Sequence, residues 1–258
     1  MQMLYGYYLW GNYPFARNSL DLIGKNYWQD GYLQLCAPGR APIVIIHGSF
    51  TWLLEMWEYI LYSGDDSLVE KHEKMIRHII EKATERLDVQ TGLYYPPVGE
   101  HIWNFYEWKE GLIECPEKLQ ALYNLYLYSA ITSASKLLQD NSLIVTAQNL
   151  IMNIEKYFWD ETSGVYRNVW ERPALHVFTQ ALMLAHQAVP EAKIPRVCDA
   201  IFSGKLVNTL WYNLPWLFQA FMPLSAQIRE KMFGILTEHF DSILFQGATS
   251  LWETADGA

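Results

Sequence analysis

From Ser67 to Leu87 apolar side chains recur at helical spacing, with Leu68, Ile76, Ile79, Ile80 and Ala83 on one face and Glu70, Lys74, Arg77, Glu81 and Glu85 on the other. This pattern predicts a solvent-facing helix. The preceding run, Phe50 to Tyr62, is apolar nearly all round, which a helix tolerates only when neighbours cover most of its surface. Between the two lies Ser63-Gly64-Asp65-Asp66, with Gly to end one helix and Asp to cap the next. The same order of an inner apolar helix and an outer amphipathic one recurs at 3–11 and 14–26, 50–62 and 66–88, 116–139 and 141–158, 174–188 and 191–202, and 212–222 and 224–240. The prediction is five helical hairpins.

The joints inside hairpins are short, as at Asp140-Asn141 or Met222-Pro223, whereas the links between hairpins are long. If the inner helices run parallel, every long link emerges at one end, and function belongs there, on loops carried by a rigid scaffold. Ile43-Val44-Ile45-Ile46 is the one candidate strand, inside a link. Such an array is either an open solenoid or a closed α/α toroid. The hairpins share no residue-level consensus of small residues and carry bulky Trp and Tyr on their inner helices, which favours a toroid converging on a pocket. The expectation is one all-α domain over 1–258.

Composition sharpens the chemistry. Eleven Trp and seventeen Tyr exceed what a core needs, and rings of this kind suit a concave carbohydrate site. Nineteen basic against twenty-eight acidic residues give a formal charge of −9, which disfavours nucleic acid and anionic lipid as partners and leaves a saccharide. Cys36, Cys115 and Cys198 are odd in number and widely spaced, so neither a disulfide framework nor a metal site is indicated, and a reducing, cytoplasmic setting is expected. No signal peptide or membrane span is visible. Cofactors are not expected. His72-Glu73 with His78 fails as a zinc motif, because histidines six apart point to different sides of a helix.

Two segments mix carboxylates with rings. The link Trp103-Asn104-Phe105-Tyr106-Glu107-Trp108 offers stacking faces and acceptors for sugar hydroxyls; its bland alternative is an aromatic loop packed on the barrel rim. In Gly247-Ala248-Thr249-Ser250-Leu251-Trp252-Glu253, a Glu stands where a sixth inner helix would begin. There it either activates water as a general base or stabilises a helix dipole. Trp170 adds a ring to the next link, and His176, near the loop end of an inner helix, is a pocket candidate or a core histidine.

The segment 247–253 resembles the Gly-Ala-Thr-Thr-x-Trp-Glu signature of the α-L-rhamnosidases of glycoside hydrolase family 78, which are six-hairpin glycosidases. The segment 103–108 is similar to that family's aromatic-Asp-Trp stretch, and Tyr59-Ile60-Leu61-Tyr62-Ser63-Gly64-Asp65 to its Tyr-Tyr-x-Tyr-Thr-Gly-Asp turn. The resemblance implies an α/α toroid incomplete at both ends. It also implies inverting hydrolysis of terminal α-L-rhamnosyl residues, with Glu253 as general base and Trp252 shaping its pocket. Glu107, Trp103, Trp108, Trp170 and His176 become sugar contacts. Glu107 replaces the family's Asp, Ile46-His47 stands where the family often has Pro-Asp, and the family's general-acid loop would precede Met1. The rival readings are a non-catalytic saccharide- or partner-binding toroid and another six-hairpin activity, such as an unsaturated-glucuronyl hydrolase.

Overall fold

The structure, a computed structural model, describes residues 2–26, 30–36, 39, 41–115, 118–172, 174–210, 213–247 and 249, with the backbone alone at 2 and 239. Among these residues ten α-helices form five sequential pairs: α1 (Gln2–Trp10) with α2 (Tyr13–Gly24), α3 (Ile46–Ser63) with α4 (Ser67–Thr84), α5 (Ala121–Leu137) with α6 (Ser142–Phe158), α7 (Val177–Ala185) with α8 (Ile194–Phe202), and α9 (Leu214–Phe221) with α10 (Ala226–Phe245). Packing divides the chain into two compact units. The first comprises Met1–Tyr106, Glu114–Tyr157 and Val169–Glu171; the second comprises Glu107–Ile113, Phe158–Asn168 and Arg172–Ala258. In the first unit α3 packs against α2 and α5, and in the second α7 packs against α9. No helix among the described residues is long and apolar enough to cross a membrane.

The five predicted hairpins are all present. The first helix of the third pair is covered almost completely, with 14 of the 17 residues of α5 buried, four of them polar (Asn124, Ser129, Ser133 and Ser135). Helix α4 buries Leu68, Ile76, Ile79, Ile80 and Ala83, the predicted face, and adds His72, whose Nε2 lies 2.9 Å from Asp21 Oδ1 and whose ring meets Trp52 edge-on. His72 is thus a packing residue of the α2–α4 contact.

Helix α3 starts at Ile46, four residues earlier than the pattern predicts, and the expected strand 43–46 reduces to one isolated bridge between Val44 and Ile102. Within this added turn the Ser49 hydroxyl accepts a hydrogen bond from the Leu33 N–H (2.9 Å), which anchors the helix start. Helices α5 and α7 begin later than predicted, at 121 and 177, because Gln120 and His176 just before them are extended and bridge to Val169 and Val207.

The links carry a repeat that the helices lack. Asp88-Val89-Gln90-Thr91-Gly92-Leu93-Tyr94 and Asp160-Glu161-Thr162-Ser163-Gly164-Val165-Tyr166 share the pattern D-x-x-[ST]-G-x-Y. In both, the Asp carboxylate accepts from the hydroxyl residue three positions on, and the Gly sits at positive φ (+65° and +73°). In both, the Tyr is fully buried, and the turn closes an antiparallel pairing, a single bridge at Leu87–Tyr94 and a two-residue ladder between β1 (Trp159–Asp160) and β2 (Val165–Tyr166).

An amide in the first turn of the following helix then grips the Tyr backbone from both sides. Asn124 accepts from Tyr94 N (2.7 Å) and donates to Tyr94 O (3.0 Å) and Gln120 O (2.8 Å). Gln180 accepts from Tyr166 N (2.9 Å) and donates to Tyr166 O (2.7 Å) and His176 O (3.2 Å). Both amides are 0% exposed, so each satisfies backbone groups that water does not reach.

At the α3–α4 joint, Gly64 takes the left-handed C-cap (φ +73°) as predicted. The predicted cap of α4 is shifted by one residue. Asp66 occupies the N-cap position without a side-chain bond, and it is Asp65 that accepts from Ser67 N (3.0 Å), Tyr59 Oη (2.6 Å) and Arg17 Nε (3.3 Å). The Tyr59 hydroxyl, followed by the Ser67 groups and Arg17, holds the Asp65 carboxyl well below its ordinary value. Stability from this joint is therefore present above pH ~4, the unfolded-state value, and is lost as pH falls below it. Asp65→Asn is expected to flatten the acid limb of a urea-midpoint-versus-pH profile. Asn124→Leu, which keeps the volume but strands the N–H and C=O of Tyr94, is expected to cost about 3 kcal/mol in chemical denaturation at neutral pH.

Candidate functional site

The link after α4 passes through both units, and each unit holds its own cluster. In the first, Trp103 N donates to Val44 O (2.9 Å) and Val44 N to His101 O (2.8 Å), which lays the link alongside the start of α3. Trp103 packs on Phe105 at 4.5 Å between ring centroids. His47, in the first turn of α3, stacks on Tyr126 (4.8 Å, 20° between planes) and on Tyr106 (5.8 Å, 13°). Burial pushes its imidazole down to about 4, so it is neutral at physiological pH. Tyr106 donates to Gln120 Oε1 (2.6 Å) and Tyr123 to Asn104 Oδ1 (2.9 Å). Beside His47, Gly48 is exposed and a Cβ built on it meets only open space. The arrangement is an aromatic wall with a neutral imidazole in it. In the same unit, Trp170 is 41% exposed and meets Tyr157 edge-on.

In the second unit Glu107 is 0% exposed. Its Oε2 accepts from Asn213 Nδ2 (2.7 Å), Thr209 Oγ1 (2.8 Å) and Leu210 N (3.0 Å), while Oε1 is buried without a partner. Burial raises its pKa, and the bonds from Leu210, Thr209 and Asn213 and the charge of Lys109 only partly oppose the rise. Residues 107–112 form a tight turn: Lys109 N donates to Glu107 O (2.9 Å), Leu112 N to Lys109 O (2.9 Å) and Glu107 N to Leu112 O (3.4 Å). Trp108 stands on that turn, 46% exposed.

His176, the N-cap residue of α7, is 3% exposed with an unpartnered Nδ1. Burial, followed by the charge of Arg172, pushes its pKa down to about 4. Asn168 and Thr179, both 0% exposed, also have side-chain atoms without partners. Thr209, which holds Glu107, also lines a cleft of about 530 Å³ walled by Phe202, Leu217, Phe221, Met232 and Leu236. That volume is in the range of small-molecule sites.

Sequence reasoning thus named four residues of these clusters, Trp103, Glu107, Trp108 and His176, and Trp170 on the next link. Glu253 and Trp252 lie outside the described residues. It did not foresee the stacking of His47 in the first cluster or the partners of Glu107, Thr209, Leu210 and Asn213, which no local motif announces. No group of three or more His, Cys, Asp or Glu able to hold a metal ion occurs among the described residues.

No protein-family model matches the chain, and no curated protein does. Solved structures match with high significance. A GH78 family rhamnosidase of Bacillus sp. GL1 superposes over 96% of the chain with a TM-score of 0.78 at 17% identity. A rhamnosidase from Klebsiella oxytoca, solved with rhamnose bound, superposes over 94% with a TM-score of 0.76 at 14% identity. The chain spans 27% and 48% of those two chains. The all-α fold of the six-hairpin type expected from the sequence is the fold the chain has.

Glu107→Ala removes the acceptor of three buried donors and is expected to cost about 3 kcal/mol in chemical denaturation. Glu107→Gln keeps an oxygen for them and removes a carboxyl that burial disfavours as an anion. Its stability at neutral pH should therefore lie within about 1 kcal/mol of the parent chain. The raised pKa makes Glu107 an increasing cost as pH climbs from its unfolded value toward its folded one, so Glu107→Gln should also remove that loss.

Proposed function

We propose that the chain is helical scaffold and sugar-binding surface of an inverting O-glycoside hydrolase of the rhamnosidase type, acting on terminal α-L-rhamnosyl or related residues. The observation that carries this reading is the superposition of 96% of the chain on a GH78 rhamnosidase at a TM-score of 0.78. The segment 247–253 supports it independently, since its resemblance rests on residues rather than backbone.

In this mechanism Glu253 is the general base. Its carboxylate takes a proton from the water that attacks the anomeric carbon from the face opposite the leaving group, and Trp252, its neighbour in sequence, is assigned to shaping the pocket. Inverting enzymes place the second carboxyl about 6.5–9.5 Å from the first, protonated, so that the glycosidic oxygen leaves as an alcohol. The exposed rings of Trp108 and Trp170 offer apolar faces to the C–H side of a sugar, and Trp103 does so from a half-buried position. His176, neutral at physiological pH, offers a hydrogen-bonding nitrogen without charge. A non-catalytic saccharide-binding role is the second reading. It is favoured by Glu107, whose Oε2 is fully engaged by protein donors.

Aryl α-L-rhamnosides with leaving groups of low pKa separate the two. Hydrolysis of these substrates is expected, with Glu253→Gln lowering kcat by roughly 10²–10⁴-fold and leaving sugar binding in place. Product analysis by NMR before mutarotation should find the anomer opposite to that of the substrate. Binding without turnover would instead establish the non-catalytic reading.

A further inference from the structure

The cleft of about 530 Å³ lies wholly within the second unit, between α8, α9 and α10. Its deep wall is apolar. Phe202 of α8 stacks on Phe221 of α9 (5.2 Å between ring centroids, 30° between planes), and Leu217 and Met232 complete that wall. Phe221 and Met232 are 1% and 4% exposed, whereas Ile235 is 44% exposed and Glu238 is exposed too. The cavity therefore runs from a floor at Phe221 and Met232 to a mouth at Ile235 and Glu238.

The space is built by packing at one end of the α9–α10 pair. Only residues 222–225 join these helices, so they run antiparallel. The Arg229 guanidinium donates to Met222 O (3.1 Å) and Leu224 O (2.6 Å), and the Ser225 hydroxyl accepts from Ile228 N (3.4 Å), which pins the first turn of α10 to the joint. Phe218 meets Phe233 at 6.0 Å. Farther along α10, among the described residues of 235–245, only Ile243 is buried. The antiparallel course brings Glu238 and Ser242 to the end where Asn208, Thr209 and Leu214 also line the cavity.

The polar groups of that end differ in what they offer. Asn208 Oδ1 accepts from Thr209 N (2.9 Å) and Thr209 Oγ1 donates to Glu107 Oε2 (2.8 Å), so these atoms are engaged with the protein. Of the described residues in the wall, Glu238 alone is ionisable. Its carboxylate accepts from a hydroxyl and repels an anionic headgroup. The Lys231 ammonium, over the Phe202 ring at 4.6 Å from its centroid, opposes a cationic ligand in turn. Water finds few partners at the floor, and cavities walled by apolar side chains stay dry and take up apolar molecules. From Met232 to Glu238 is about 9 Å along the helix, the length of two fused six-membered rings carrying a hydroxyl.

We propose that this cavity binds a neutral, ring-containing alcohol, its ring body seated against Phe221 and Met232 and its hydroxyl donating to Glu238. The site uses none of the residues assigned to sugar. It stands whether or not the chain hydrolyses glycosides.

The test is calorimetry on the full 258-residue chain with two probes of the same ring system, 2-naphthol and 2-naphthoate. Naphthol is expected to bind about tenfold or more tightly than naphthoate and to raise the urea midpoint of the chain. Glu238→Gln removes the repulsion and should narrow that preference severalfold. Ile235→Trp places an indole in the mouth at a position already 44% exposed, and should lower naphthol affinity about tenfold. If Ile235→Trp does not reach the parental unfolding midpoint, Ile235→Glu replaces it; by removing apolar wall at the same position it should weaken naphthol binding severalfold. Absence of naphthol binding overturns the proposal, and so does equal affinity for the two probes. Naphthol affinity that a folded Ile235 variant leaves unchanged places the ligand elsewhere and overturns it as well.

Discussion

The links of this protein run as irregular backbone among buried side chains, and irregular backbone carries N–H and C=O groups that need partners. The side-chain amides of Asn124 and Gln180 meet that need. Each reaches from the first turn of a helix, takes the N–H and C=O of a buried tyrosine as a neighbouring strand would, and bonds the carbonyl four residues back on its own chain. A hydrophobic side chain of equal size would fill the space and leave those groups orphaned. Ser49 does a smaller version of the same work at the start of α3, with one bond to Leu33. The placement of each link at the start of its helix depends on these contacts, and so do the residues that the links carry.

Helical hairpins were legible in the sequence because their signals are local. A stripe of apolar residues, a left-handed Gly64 or a Pro in the first turn, as in α2, α8 and α9, is readable within a window of a dozen residues. The starts of α3, α5 and α7 were not legible, since they are set by bridges to residues far away in sequence, Val44 to Ile102, Gln120 to Val169 and His176 to Val207. The D-x-x-[ST]-G-x-Y repeat was open to view in the sequence and escapes a search directed at helices. Its meaning needs the amide partner, which is Asn in one copy and Gln in the other.

The candidate site divides the same way. Aromatic and acidic residues of 103–108 announce carbohydrate chemistry by type, but sequence does not distinguish a carboxylate open to ligand from one held by the protein. Glu107 has one oxygen held by three donors and another sealed off without a partner, so it sits between those extremes. Asp65 shows the contrast. It is a partly exposed carboxylate whose partners favour the charged form, whereas the surroundings of Glu107 favour the neutral one. Two acids of similar chemistry thus pull the protein's acid stability in opposite directions, for reasons written in the donors around them.

The two amide locks also differ in what they enclose. From Tyr94 to its amide is 30 positions, and from Tyr166 to its amide only 14, yet the bonds formed are the same. A lock that closes identically around sixteen extra residues places almost no demand on the length of the chain it spans, and loop-closure cost rises only slowly with length. The lock itself therefore tolerates different lengths between turn and amide, and in the longer copy the constraint on that segment comes from its other anchors, Ile102 on Val44 and Glu107 on Thr209, Leu210 and Asn213. In the longer copy, that interval holds Trp103, Glu107 and Trp108. Recognition surfaces can be rewritten there only at the exposed positions of the link, such as Val98 and Trp108, because its buried residues, Tyr106, Glu107 and Leu112 among them, belong to the frame.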